Sequence, residues 1–161
     1  MNTISFSVMA DLKHREDVAA MMRCLYEEDR GELNLDHSNL GSGIEYLISH
    51  PWVGQIVLFF EGDEVRGYAL LVPYWSNEFG GTLLFVDELF VASEFRSRGI
   101  GRSFFKYLEQ ARPFGPVAFG LGVNPGNNRA RSLYESLGFA ELRISTLARR
   151  VSESADYWRQ E

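Results

Sequence analysis

The residues best suited to chemistry lie where one strand runs out and a helix begins. Val86-Asp87-Glu88-Leu89-Phe90-Val91 reads as the end of a strand and Ala92 to Arg98 as a short loop. Gly99-Ile100-Gly101 then opens directly into an amphipathic helix with Phe104, Phe105, Leu108 and Ala111 on its inner side. The first main-chain N–H groups of a helix have no partner within it. Gly99 and Gly101 let a ligand oxygen approach those groups with no Cβ in the way, so the turn is an anion site suited to a pyrophosphate. Two other phosphate loops do not fit. The chain has no G-x-x-x-x-G-K-S/T spacing, and Phe104 stands where a dinucleotide fingerprint needs its third small residue, with no acidic strand end at the expected distance.

A second segment, Asn124-Pro125-Gly126-Asn127-Asn128, leads into a helix capped by Asn127 or Asn128, striped by Ala130, Leu133 and Leu137, and ended by Gly138. Together the two segments resemble the GCN5-related N-acetyltransferase (GNAT) family. Its first signature, R/Q-x-x-G-x-G/A, is met by Arg96, Gly99 and Gly101. Its second, N-x-x-A-x-x-L-Y-x-x-x-G-F, is met by Asn127, Ala130, Leu133, Tyr134, Gly138 and Phe139. The element order matches as well, so the resemblance covers essentially the whole chain.

The resemblance implies a mixed, mostly antiparallel central sheet with helices on both faces, splayed at its two central strands. It implies acetyl-CoA as cosubstrate, with the pantetheine arm on backbone groups of Leu89, Phe90 and Val91. The pyrophosphate then falls on the amides of Ser97, Arg98, Gly99, Ile100, Gly101 and Arg102, in the turn that Arg96 begins. Asn127 would face the pantetheine or the thioester. Tyr134 matches the family tyrosine that protonates the leaving sulfur, and a phenol near ~10 differs from a thiol near ~8.5 by only about 2 kcal/mol. An alkyl ammonium cannot attack a carbonyl, so a base is needed too. Family members with an assigned carboxylate often carry it four residues before the position of Val91, which makes Asp87 the first candidate. Glu88 points to the opposite face of a regular strand, though a bulge would bring either one to the site. From an amine near ~10.4 to a carboxylate near ~4.3 is roughly 8 kcal/mol uphill, so desolvation or a water relay has to narrow the gap. On the acceptor side the candidates are Trp75 and Tyr74 at a strand end and Glu28 within the run Glu27-Glu28-Asp29. Gly67-Tyr68-Ala69-Leu70 and the hairpin after it distantly resemble the diamine acetyltransferase branch.

The elements that must hold these residues are readable from periodicity. Strand is expected over Thr3 to Met9, and a helix over Asp11 to Asp29 with Leu12, Val18, Met21, Met22 and Leu25 inward. Arg30 to Gly43 reads as loop, and Ile44 to Ser49 as a short helix stopped before Pro51. Val53 to Phe60 and Val65 to Tyr74 form a hairpin about Glu61-Gly62-Asp63-Glu64, followed by a strand over Thr82 to Val91. A helix over Gly99 to Ala111, a strand over Val117 to Val123, the capped helix to Leu137 and a last strand over Leu142 to Val151 complete the order, before a polar tail.

The totals agree with one α/β domain over residues 1–161: apolar residues are 45% and charged residues 24% of the chain. The longest apolar run falls well short of a membrane helix, and the N-terminus lacks the basic and apolar segments of a signal peptide, so a cytoplasmic protein with no membrane association is expected. The single cysteine, Cys24, sits within a helical apolar pattern and reads as a buried thiol rather than a nucleophile. His14, His37 and His50 are too far apart for a helical metal pair, so no metal is expected. A net charge of −6 offers nucleic acid no attraction and favours cationic small substrates. The function expected is direct transfer of an acetyl group from acetyl-CoA to a primary amine of a small amine, polyamine or amino-acid-like acceptor. The alternatives are a protein or peptide acetyltransferase and a catalytically silent acyl-CoA sensor. The acceptor and the quaternary state, a homodimer included, are left open.

Overall fold

A computed structural model describes residues 3–28 and 40–142. Five strands, β1 (Ile4–Val8), β2 (Gln55–Glu61), β3 (Glu64–Ser76), β4 (Gly81–Val91) and β5 (Ala118–Leu121), lie in that order across one sheet. The first three pairings are antiparallel and β4–β5 is parallel, so the sheet is mixed and mostly antiparallel as expected. Helices α1 (Arg15–Glu28) and α2 (Leu40–Ser49) precede β2, α3 (Ile100–Ala111) follows a 3-10 turn at Ser93–Phe95, and α4 (Asn128–Ser136) follows β5.

The alternation of β2 explains the layering. Val57 and Phe59 join a core with Phe104, Phe105 and Leu108 of α3, while Ile56 and Leu58 join a second core with Val18, Ala19 and Met22 of α1 and Ile44 of α2. Successive side chains point to opposite faces, so one apolar strand feeds both cores. The hairpin turn is as short as the sequence suggests, because Glu61 pairs with Glu64 and only Gly62-Asp63 lies between.

Three expectations need correction. Helix α2 begins at Leu40, not Ile44, and carries two glycines that helices ordinarily disfavour. Burying Ile44 completely offsets them, and Gly41 leaves the space that the Arg15 guanidinium fills: a Cβ there would lie 2.2 Å from its nitrogen. Cys24 is exposed, because the inward stripe of α1 is Val18, Ala19 and Met22, and two residues beyond Met22 the helix has turned about 200° away. Leu12 precedes α1 and is also exposed. The expected strand over 142–151 and the tail beyond it lie outside the described residues except for Leu142, which is in no strand; most of the expected loop over 30–43 lies outside them too. Among the described residues no helix is long and apolar enough to cross a membrane.

Candidate active site

The site begins with one extra residue in β4. Leu70 of β3 pairs with Glu88, but Leu71 pairs with Val86, leaving Asp87 as a bulge. Before the bulge Leu84 and Val86 face α3; after it Leu89 and Val91 do, and Phe90 has moved to the α1 side. Asp87 therefore inverts the parity of everything that follows. Glu88 falls on the face of Phe90, where the Tyr26 hydroxyl of α1 donates to its Oε1 and the Tyr68 hydroxyl of β3 donates to its Oε2 at 2.7 Å.

The parallel partner stops at the same level. Val86–Leu121 is the last β4–β5 pair, and beyond it the strands part. A cleft of 390 Å³ opens between Asp87–Val91 on one side and Gly122, Val123 and Asn124 on the other. Its size is that of a small-molecule site.

The next wall is the start of α3. Gly99 is its N-cap, in the left-handed region at φ +79°, and supplies no side-chain cap. Ser103 is the residue whose N–H reaches back to the Gly99 carbonyl, so those of Ile100, Gly101 and Arg102 have no acceptor within the helix. Ser97 is left-handed as well, at φ +64°. Gly101 serves packing: a Cβ there would come within 2.8 Å of Leu133 Cδ2, so its absence lets α4 close on α3. This open, glycine-lined helix start fits the diphosphate of a coenzyme A molecule, with Gly99 presenting no side chain in front of the amides.

The arginines around the turn are engaged elsewhere. Arg96 donates from Nε to the Val91 carbonyl at 2.7 Å and from one amino nitrogen to both Glu28 oxygens at 2.8 and 2.9 Å. Arg98 donates to the Glu94 carbonyl at 2.8 Å, and Arg102 to Ser136 Oγ at 2.6 Å. They brace the turn against α1, β4 and α4. On the far wall Asn127 caps α4, its Oδ1 accepting from the Ala130 N–H at 3.1 Å. Tyr134 lies half-buried on that helix, edge-on to Phe105 and Phe139 with both ring centres 5.9 Å away. Ala130, Leu133 and Leu137 are only partly covered rather than buried; the first two border the cleft.

The two carboxylates are electrostatically alike in direction and in chief cause. Burial pushes the Asp87 carboxyl up. Burial also raises that of Glu88, the phenol hydrogen bonds pull it back, and the neighbouring Asp87 charge raises it again, leaving it above the ordinary range. Both tyrosines hold their protons more tightly than a free phenol, chiefly through burial and then through Glu88, so they act there as neutral donors.

Of the residues expected to meet the coenzyme, all but Arg98 line this cleft, and so do Asp87, Glu88, Tyr134 and Glu28. Tyr74 and Trp75 do not. They sit at the opposite end of β3, exposed, and pair with Leu83 and Thr82, several residues before the splay. Reasoning from sequence missed Tyr26 and Tyr68 behind Glu88. Their traces were a tyrosine at the end of a helical pattern and Tyr68 within the Gly67-Tyr68-Ala69-Leu70 stretch, neither of which pointed to Glu88.

Residues 14–139 match the model of the acetyltransferase (GNAT) family. Among solved structures, a possible acetyltransferase from Clostridium difficile 630 superposes with a TM-score of 0.77 at 23% identity, covering 92% of this chain and 98% of that one. The aminoglycoside N-acetyltransferase AAC(6')-Iy in complex with CoA gives 0.75 at 15% identity over 92% and 95%. Ribosomal-protein-alanine N-acetyltransferase from Brucella melitensis biovar Abortus 2308 gives 0.69 at 15% identity over 92% and 100%.

Proposed function

Since the chain belongs to the GNAT acetyltransferase family, we propose that it transfers an acetyl group from acetyl-CoA to the primary amine of a small, cationic acceptor, by direct attack with both substrates bound. One observation carries this reading. A single cleft holds unpaired helix-start amides at one end, a tyrosine on one wall and two desolvated carboxylates on the other. Acetyl-CoA supplies a thioester carbon open to attack.

The chain supplies the rest. The amides of Ile100, Gly101 and Arg102 hold the diphosphate, and the parted edge of β4 at Leu89–Val91 orients the arm that follows it. Asp87 and Glu88 draw in a cation and one of the two receives its proton, its raised basicity shortening the uphill transfer from ammonium to carboxylate. As the new C–N bond forms and the C–S bond breaks, the Tyr134 hydroxyl gives its proton to sulfur and regains one, through solvent, from the acylated nitrogen. No enzyme thiol enters, since Cys24 lies on the solvent side of α1, away from the cleft. A small acceptor is favoured by the size of the cleft and by the likeness to a protein named for aminoglycosides.

The test is thiol release from acetyl-CoA against aminoglycosides, diamines, amino acids and peptide N-termini. Release with a small amine is expected. Release with peptides alone would reassign the acceptor, and coenzyme binding with no release would make the chain a sensor. With an active amine, Tyr134→Phe is expected to lower kcat about 10- to 100-fold while leaving acetyl-CoA affinity within about twofold. Equal losses in both would reduce Tyr134 to packing.

A further inference from the structure

Two carboxylates share the acceptor wall, and their surroundings divide the work between them. Asp87 is the bulged residue, more open to solvent than Glu88 although burial still raises its carboxyl, and among the described residues no hydrogen bond or ion pair orients its side chain. Glu88 is held at both oxygens by donors from distant parts of the chain, 62 and 20 residues away. Neither tyrosine lines the cleft, whereas Glu88 does, so both phenols stand behind the carboxylate. Tyr68 has no exposed surface, and a hydroxyl buried that deeply has to find a partner. Phenylalanine would fill the same space with no such demand.

We propose that Glu88, and not Asp87, takes the proton of the acceptor's ammonium, and that Tyr26 and Tyr68 are positioning residues that fix its carboxylate for that transfer. The proposal rests on the amine-transfer reading above and makes it specific. Each carboxylate oxygen has two lone-pair positions, so one phenol on each leaves a second on each to meet the substrate. Uncharged donors suit the task. An arginine in their place would fix the group equally well but would make it a far weaker base. The charged and titratable groups around Glu88 are Tyr26 and Glu28 from α1, Tyr68 from β3, Asp87 beside it, Arg96 over the Phe90 ring and Tyr134 across the cleft. Arg96, the cation among these, is already committed to Glu28 and Val91. The proton balance is simple. Glu88 takes one proton from R–NH3+ and passes it to solvent, and the neutral nitrogen attacks.

The sign of the pH effect follows from the direction of the hydrogen bonds. Both phenols favour the charged carboxylate, so removing either makes Glu88 titrate higher, and the acid limb of kcat/KM moves to higher pH with the plateau regained above it. The experiment compares Glu88→Gln, Asp87→Asn, Tyr26→Phe and Tyr68→Phe in the full chain. Three quantities are read: kcat/KM against pH with the best amine of the panel, acetyl-CoA affinity by calorimetry, and titration of the Glu88 carboxyl by carbon NMR. Glu88→Gln is expected to lose about 100- to 1,000-fold in kcat with acetyl-CoA affinity unchanged, and Asp87→Asn less than about tenfold. Each Tyr→Phe variant is expected to shift the acid limb and the NMR midpoint upward together. A larger loss from Asp87→Asn than from Glu88→Gln, or two tyrosine variants with an unmoved limb and midpoint, overturns the proposal. If acetyl-CoA binds and no amine is acetylated, the transfer reading fails and takes the base with it; the NMR arm still decides whether the phenols hold Glu88.

Discussion

The two sides of the cleft are made of different material. On the side proposed for the coenzyme the groups are main-chain amides at the start of α3 and the parted edge of β4, and side chains there mainly stay out of the way or brace the turn. On the side proposed for the acceptor the groups are side chains, gathered from α1, β3 and β4 around one carboxylate. A site built from backbone is written locally, in the spacing of a few glycines. A site built from side chains depends on which face each strand presents, and that depends on register.

The strongest way to break this contrast is Gly99→Val. At φ +79° a β-branched residue is strained, and its methyls would stand before the amides, although no protein atom lies within 4 Å of the added Cβ. Acetyl-CoA affinity is expected to fall at least about 100-fold by calorimetry, well beyond the strain alone, because the ligand contact is lost as well. A change below threefold would show that the coenzyme side is not built from these amides. A smaller loss is expected from Asn127→Ala, which removes the α4 cap. Stability should drop by about 1 kcal/mol, read as a melting temperature lower by roughly 2–4 °C. An unchanged melting temperature would mean that the far wall does not depend on its cap.

That contrast also explains what could be read before any coordinates. Both signature segments, the hairpin at Gly62-Asp63, the cap at Asn127 and the mixed sheet are local patterns or follow from strand order, and the structure has them. A bulge in this strand was anticipated, but that Asp87 is the extra residue was not legible. Nothing in Val86-Asp87-Glu88-Leu89 says which residue is extra, and the register of β3 against β4 decides it. Tyr26 and Tyr68 were hidden for the same reason, because their meeting needs both that inverted parity and the packing of α1 on the sheet. The expected helix start at Ile44 was late for another reason: propensity counts two glycines as a loop, and the burial of Ile44, with Arg15 filling the space over Gly41, offsets it. Tyr74 and Trp75 looked like an acceptor rim because a strand end is near some opening, but the splay is at the other end of the sheet.

Glu28 tests the boundary between the two proposed sides, since it lines the cleft and also binds Arg96 of the turn before α3. Its carboxylate holds the Arg96 amino group, whose own Nε holds the Val91 carbonyl, so α1 is tied to the end of β4 through one guanidinium. The side chains of the pair are 29% and 48% exposed, which places the bond among those worth less than about 1 kcal/mol and sensitive to salt. Glu28→Gln is therefore expected to lower the melting temperature by no more than roughly 3 °C, and the gap from the parent should close at about 1 M salt, where the Debye length is near 3 Å. If Glu28 acts as a brace, acceptor KM rises only a few-fold and evenly across amines of different charge. A loss that grows with the number of positive charges on the amine would instead make Glu28 a substrate ligand, and the acceptor wall would extend across the ion pair to the coenzyme turn.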